Sequence, residues 1–594
     1  MRTHIVLLAA LSFSVALSVV PSAAQPAAQH YDVTVERGAK ATMRDGVVLQ
    51  ADIYRPAQEG RFPVLLVRTP YNKSGETEFC YKAAARGYVV IAQDVRGRYT
   101  SEGEWYPFKY ETQDGYDTVE WAASLPSSNG KVGMFGGSYV GATQMLTAIA
   151  HPPHLAGICP VVTASNYHNG WTYQSGAFEQ WFNESWTSGL AQDTLNRVVL
   201  KSTNALEGIW KLPLADYPLF NLHESSPNGS LESLAPYFLD WLAHPNYDDY
   251  WKRWAIEEHY SDITVPALHV AAWYDIFQGG SLRNYEGIKA NGGSDAAKRG
   301  QHLLVMIGGH AGRGRKIGDV DFGPAAAELD ENDFTIDWYD YLFKGAQNHF
   351  AQKPVRIFVL GANQWRDEDD WPLNRARSTK YFIHASNGAN SVRGDGSLSM
   401  AAPRAERADH YTYDPANPVP TIGGPLCCDA AHLPPGPKDQ RPAESRDDVL
   451  VYSTNAFAKD FEVTGPVSLE LYASSSAVDT DFTAKLVDVW PNGFAQNLTE
   501  GIIRARYRES QSTPELINPG QVYKYSIDLW STSNVFRQGH RLRVEISSSN
   551  FPRFDRNPNT GPGAQFGSRL VPAANTVYHD AERPSALILP VVSE

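Results

Sequence analysis

The chain has 594 residues, of which 20% are charged, 12% aromatic and 42% hydrophobic, and its formal net charge is −14. That length exceeds a single domain, and the composition is that of an ordinary globular protein without low-complexity tracts or internal repeats. The acidic balance and the lack of a basic cluster give no electrostatic reason to expect nucleic acid or an anionic membrane as partner.

Residues 1–24 read as a signal peptide. Arg2 and His4 lead an apolar run to Val20, and Pro21-Ser-Ala-Ala24 offers small residues for cleavage before Gln25. The mature protein is therefore expected to be secreted or periplasmic. No later stretch is long and apolar enough to span a bilayer, so no membrane association is expected after cleavage. Four cysteines, Cys80, Cys159, Cys427 and Cys428, are too few for a disulfide scaffold, and their pairing is not readable from sequence. Neither C-x-x-C nor H-E-x-x-H occurs, so no metal or other cofactor is indicated.

From Tyr31 to Ala57 the pattern is antiparallel strands about a turn at Asp45-Gly46. Strands and helices then alternate. Val64–Val67 is a buried strand, Phe79 to Gly87 a helix, Val89–Ala92 a strand, Tyr116 to Leu125 a helix, Val132–Phe135 a strand and Leu155–Val162 another. Such alternation builds a mostly parallel sheet covered on both faces. It breaks at 165–260, which holds seven of the fifteen tryptophans: Trp171, Trp181, Trp186, Trp210, Trp241, Trp251 and Trp254. This insertion reads as a helical cap whose aromatics either line a pocket or fill a small core. The alternation resumes with a strand at Pro266–Asp275, a helix at Ser281–Lys289, a strand at Leu303–Ile307 and a helix ending at Gly345. From about Pro354 the text is β throughout, in a sandwich or jelly-roll pattern with a long Pro/Gly-rich loop at 403–442. The expected division is a hydrolase domain at 25–164 and 261–350, a cap at 165–260 and an all-β domain at 351–594.

The chemistry centres on Asn129 to Gln144. A turn, an apolar strand, a Gly-Gly corner and a helix follow one another, with Ser138 at the corner. That is the geometry of a nucleophile elbow, which exposes a serine Oγ at a helix N-terminus. The plain G-x-S-x-G spacing is not met: Gly136-Gly-Ser-Tyr-Val-Gly141 has its last glycine one place late. In open parallel sheets chemistry gathers in loops after the carboxyl ends of strands. Asp275 and His310 each end a strand, and the order Ser138, Asp275, His310 is that of α/β-hydrolases. A serine nucleophile, a histidine base and an aspartate that orients it make a set for acyl transfer.

With these residues in place, the chain resembles the cocaine esterase and X-Pro dipeptidyl-peptidase group of α/β-hydrolases, nearest to the cocaine esterase-like acyl hydrolases. The resemblance is carried by Val67-Arg-Thr-Pro-Tyr-Asn-Lys73, Gln93-Asp-Val-Arg-Gly-Arg98 with Ser101-Glu-Gly-Glu104, the elbow, Trp273-Tyr-Asp275 and Gly308-Gly-His310. Asp447–Tyr452 and Gly539–Asn550 resemble the group's C-terminal jelly roll, so nearly all of the mature chain is covered. The late glycine is the group's own elbow. The resemblance implies an α/β-hydrolase core with a helical cap and a C-terminal jelly-roll domain. It assigns the triad to Ser138, Asp275 and His310, and the oxyanion donors to the Tyr71 hydroxyl and the Tyr139 backbone N–H. Phe277 falls where relatives place an acyl-pocket aromatic, and Trp171 and Trp181 are the cap aromatics expected beside it.

Relatives that cleave α-amino acid esters hold the substrate ammonium with carboxylates just after the catalytic Asp. Here Ile276-Phe-Gln-Gly279 is uncharged; Glu179 and Glu184 in the cap are acidic, but the carboxylate pair after the aspartate is missing. Gly309 also replaces the aromatic common before the histidine. The expected partner is a small-molecule ester, cleaved at a small, aromatic or apolar acyl group. The alternatives are an amide-cleaving acylase, including α-amino acid ester hydrolase and X-Pro dipeptidyl-peptidase types, and a non-catalytic binding protein on the same scaffold. Many relatives self-associate, so a homo-oligomer is among the expectations.

Overall fold

The computed structural model describes residues 30–196, 209–210, 212–214, 235–310, 312–561, 567 and 569–593. The signal-peptide segment and much of the middle of the cap lie outside these residues.

Period-2 sequence places each strand's neighbours on opposite faces of a sheet. In β3 (Phe62–Thr69) the side chains of Val64 and Leu66 join one apolar layer, while Leu65 and Val67 join the other. The first layer is covered by α2 (Glu111–Ser124) and α3 (Tyr139–Ala148), through Val119, Met145 and Leu146. The second is covered by α1 (Thr77–Ala85) through Phe79, and by a later helix through Ile336 and Trp338. Burial on both faces explains why these strands read as continuous apolar runs.

The sheet has ten strands. With β1 (Val33–Thr42), β2 (Val48–Pro56), β4 (Val89–Asp94), β5 (Ser128–Gly137), β6 (Leu155–Val161), β7 (Ala267–Tyr274), β8 (Gln301–Gly309), β9 (Val355–Val359) and β10 (Gln364–Glu368), the order is β1-β2-β4-β3-β5-β6-β7-β8-β9-β10. Strands β4-β3-β5-β6-β7-β8-β9 pair in parallel and the two edges are antiparallel. The run at 355–360, read from sequence as the start of the all-β region, thus belongs to the hydrolase sheet, as does β10. A five-residue buried strand has the same periodicity in either sheet, and only pairing with β8 selects its place.

The cap leaves the sheet after β6. It begins with a two-stranded ribbon, Tyr173–Gln174 with Ala177–Phe178, and continues in α4 (Gln180–Asn196) and α5 (Pro236–Ala243). The C-terminal part forms an eleven-stranded, almost wholly antiparallel sheet from Ala376 to Val592. Its core is continuous with the far end of the hydrolase sheet: Trp273, Leu303 and Ile357 pack in one cluster with Leu469, Phe482, Ile527 and Val544. Cys427 and Cys428 are disulfide-bonded to each other, whereas Cys80 and Cys159 are buried and unbonded.

Candidate active site

The corner after β5 has the backbone an exposed serine needs. Ser138 sits at φ 62°, ψ −127°, a region costly for a side-chain-bearing residue, and α3 starts at the next residue. Its N–H donates to the Val161 carbonyl at 2.9 Å, and its carbonyl accepts from Ala142 N–H at 3.0 Å. Gly136 has φ +119°, and a Cβ there would meet Val140 Cγ1 at 2.4 Å. The late glycine also has a reason: a Cβ on Gly141 would meet Thr163 Cβ at 2.8 Å, so its absence lets α3 seat against the chain leaving β6.

Asp275 follows β7 and His310 follows β8. A register shift between Met306 and Gly309 brings Gly309 opposite Tyr274, next to the aspartate. Asp275 is fully buried, and its Oδ1 accepts from Phe277 N–H at 2.7 Å. Its Oδ2 lies 2.7 Å from His310 Nδ1, and His310 Nε2 lies 2.8 Å from Ser138 Oγ. The three residues named from sequence are therefore one hydrogen-bonded chain, with the imidazole between a carboxylate and a hydroxyl. The space a side chain at 309 would need is bounded by Pro435, 3.5 Å from a Cβ built on Gly309, so the C-terminal domain supplies that wall.

Tyr71 follows β3 after Pro70. Its N–H donates to Thr69 Oγ1, and the residue is 38% exposed. The hydroxyl end points inward, accepts from Trp186 Nε1 at 2.9 Å and meets Ser138. Loss of solvent around the hydroxyl pushes its pKa up to about 12, partly offset by the Trp186 and Ser138 contacts, so it is a neutral donor at physiological pH. Tyr139 opens α3, in the first turn whose amides have no intrahelical acceptor. Its side chain anchors the helix from below: the hydroxyl donates to Glu111 Oε1 at 2.9 Å and accepts from Phe108 N–H at 2.8 Å. Glu111 is also paired with buried Arg68 at 2.8 Å, and burial raises the Glu111 pKa.

Phe277 stands perpendicular to the His310 ring, with centroids 5.1 Å apart. Trp171 stacks on Phe277 at 4.2 Å and 2°. Phe277 and Trp171 thus lie next to the imidazole. Trp181 is elsewhere: it packs with Ile209, Leu426 and Phe551, against the C-terminal domain. Five residues of helix, nearly a turn and a half, separate it from the residue that does reach the site, Trp186. Trp186 is one of seven cap tryptophans, and periodicity cannot choose between helix faces that are both aromatic. Glu179 is spent on Arg553 and Glu184 on Gln180, so neither acid stands beside Asp275, and the Gln278 amide is tied to the Trp273 and Ser531 carbonyls.

A hydroxyl next to a histidine nitrogen, a carboxylate on the other nitrogen and donors on the opposite side can activate a nucleophile and stabilise the anion formed on attack. Known proteins similar to this chain span nearly all of it. The profile of the X-Pro dipeptidyl-peptidase (S15 family) matches residues 45–312, and that of the X-Pro dipeptidyl-peptidase C-terminal non-catalytic domain matches residues 348–588. The chain is 39% identical over 577 residues to a cocaine esterase of Rhodococcus sp. (strain MB1 Bresler), covering 93% of this chain and 97% of the relative. Two crystal structures match at full length. An aminopeptidase from the marine sediment archaeon Thaumarchaeota archaeon has TM-score 0.82 and 27% identity, covering 97% of this chain and 99% of the other. An α-amino acid ester hydrolase labelled with selenomethionine has TM-score 0.80 and 26% identity, covering 96% and 99%.

Proposed function

Because this chain belongs to the cocaine esterase and X-Pro dipeptidyl-peptidase group of α/β-hydrolases, we propose that it is an exported serine hydrolase cleaving carboxylic esters through an acyl-enzyme on Ser138. The observation that carries the reading is His310 bridging Asp275 and Ser138. Ser138 Oγ attacks the acyl carbonyl while His310 Nε2 takes its proton, and Asp275 holds the imidazole by Nδ1 and stabilises its cation. His310 then returns the proton to the leaving alcohol, and water repeats the sequence to release the acid. The oxygen that gains charge is received by the Tyr71 hydroxyl and the Tyr139 N–H; removing one such donor costs about a hundred- to thousandfold in rate. A flat aromatic pair, Phe277 on Trp171, stands behind the base and supports a small, aromatic or apolar acyl group. Export is supported by the apolar run after Arg2 and His4 and the small residues before Gln25.

The test is turnover of p-nitrophenyl esters from acetate to benzoate by the chain and by Ser138→Ala. A burst followed by turnover, both lost in the variant, is expected, with benzoate among the better substrates. The same triad can open an amide, and the likeness to an aminopeptidase favours that second reading. A preference for aminoacyl or glutaryl amides over every aryl ester would overturn the ester reading in favour of an acylase.

A further inference from the structure

The Tyr71 hydroxyl has one proton to donate and lone pairs to fill. Trp186 Nε1 on α4 donates to it at 2.9 Å. An indole N–H donates and cannot accept. The phenolic proton is therefore directed to the hydroxyl's other side, where it meets Ser138. Trp186 has little freedom of its own. It is 5% exposed, lies nearly parallel to Trp241 at 6.0 Å, and has Trp105 and Trp171 edge-on at 6.1 and 5.8 Å.

A second tie runs beside the first. Arg98 Nε donates at 2.9 Å to the carbonyl of Pro70, the residue before Tyr71. Arg98 Nη1 donates at 3.3 Å to the carbonyl of Leu190, one turn beyond Trp186 on α4. Arg98 is buried, and its guanidinium lies 5.2 Å from the centre of the Trp105 ring, which in turn touches Trp186. Loop and cap helix are thus joined through a side chain of the helix and, by one cation, through its backbone.

We propose that Trp186 and Arg98 are positioning residues for the oxyanion site: the indole N–H aims the Tyr71 hydroxyl proton at the nascent oxyanion, and the guanidinium holds the Pro70–Tyr71 loop to the cap. The proposal rests on Tyr71 acting as an oxyanion donor. Without the indole N–H, the phenol of a partly exposed residue rotates about its C–O bond and offers its proton elsewhere for part of the time. Both Trp186 and Arg98 also draw the Tyr71 pKa down against desolvation, which makes the hydroxyl a better donor. A cap that left its seat would remove both ties and leave the triad intact but the oxyanion site incomplete.

The test is a double-mutant cycle on an aryl ester with Trp186→Phe, which keeps an aromatic ring and loses the N–H, and Tyr71→Phe. Tyr71→Phe should lower kcat about a hundred- to thousandfold. Trp186→Phe should lower kcat about tenfold, the scale of one hydrogen bond, with KM nearly unchanged. In the Tyr71→Phe background Trp186→Phe should change kcat by less than about twofold, because the group it orients is gone. Arg98→Gln should behave in the same way. Labelling of Ser138 by a fluorophosphonate checks that each variant is folded; where Trp186→Phe is not, benzothienylalanine in place of Trp186 keeps the ring shape without the N–H. Equal losses in both backgrounds, or a change confined to KM, would overturn the proposal and leave Trp186 a pocket wall. An unchanged kcat in Tyr71→Phe alone would overturn the oxyanion role of Tyr71 first, and the proposal with it.

Discussion

Glu184 is a carboxyl group inside the cap helix. Gln180 Nε2 donates to its Oε1 at 3.0 Å, and its Oε2 has no partner among the described residues. Burial pushes its pKa up to about 8 from an ordinary value of 4.5. Between those values the folded chain keeps a proton that the unfolded chain has lost, so this group's contribution to stability falls as pH rises from about 4.5 to about 8, then levels. Glu179 acts in the same direction up to about 7, with Arg553 partly offsetting burial. Glu184→Gln keeps the shape and removes the titration. Its melting temperature should exceed that of the parent at pH 8 and approach it at pH 4.5; thermal melts at both pH values decide this, and a pH-independent difference would rule it out. Both acids were visible in the sequence as candidate partners for an amine. What was hidden is that each already has an internal partner, Arg553 from far along the chain and Gln180 from one turn away.

A glycine inside a helix ordinarily costs about 0.5–1 kcal/mol relative to alanine, so Gly141→Ala should stabilise α3 taken alone. The neighbouring chain reverses the sign. The added Cβ would lie 2.8 Å from Thr163 Cβ and 3.1 Å from the Val161 carbonyl oxygen, and α3 would have to lift from β6. Gly141→Ala is expected to destabilise by about 1–3 kcal/mol in urea unfolding. It should also lower ester turnover, since Ser138 moves with the helix it caps. A stabilised, fully active variant would show that the contact has room to relax. The elbow itself was legible because a strand, a corner and a helix are local patterns. The reason for its displaced glycine was not, because Thr163 approaches only after β6 has paired with β5.

The cap and the C-terminal domain are docked through buried charge. Arg553 Nη1 donates to Glu500 Oε1 at 2.6 Å, and Nη2 reaches Glu179 Oε1 at 3.3 Å and Gln174 Oε1 at 3.0 Å. Backbone bonds run beside it, Trp181 N–H to the Pro552 carbonyl and Asp555 N–H to the Phe178 carbonyl. Arg553→Leu would leave Glu179 and Glu500 buried without their shared cation, which costs about 3–5 kcal/mol when one partner of a buried pair is removed. Urea unfolding should show a loss of that size; a loss under about 1 kcal/mol would mean that the two carboxylates neutralise without disturbing the interface. The all-β domain is therefore part of the site's frame: its Pro435 bounds the residue before His310, and Cys427 packs in the apolar cluster that holds Trp171, Trp186 and Phe277.

Sequence alone determined the parts whose signal lies in neighbouring residues or in chain order: the alternating strands and helices, the serine at a strand-to-helix corner, and Asp275 and His310 after later strands. Those signals survive without coordinates because periodicity and turn chemistry act over a few residues. Only the tertiary structure decided that β9 joins the hydrolase sheet, that Cys427 bonds to Cys428, and that Trp186 rather than Trp181 meets Tyr71 across 115 residues of chain. In each case several chemically equivalent candidates stood in the sequence, and the choice among them was made by packing between distant segments, which no local pattern encodes.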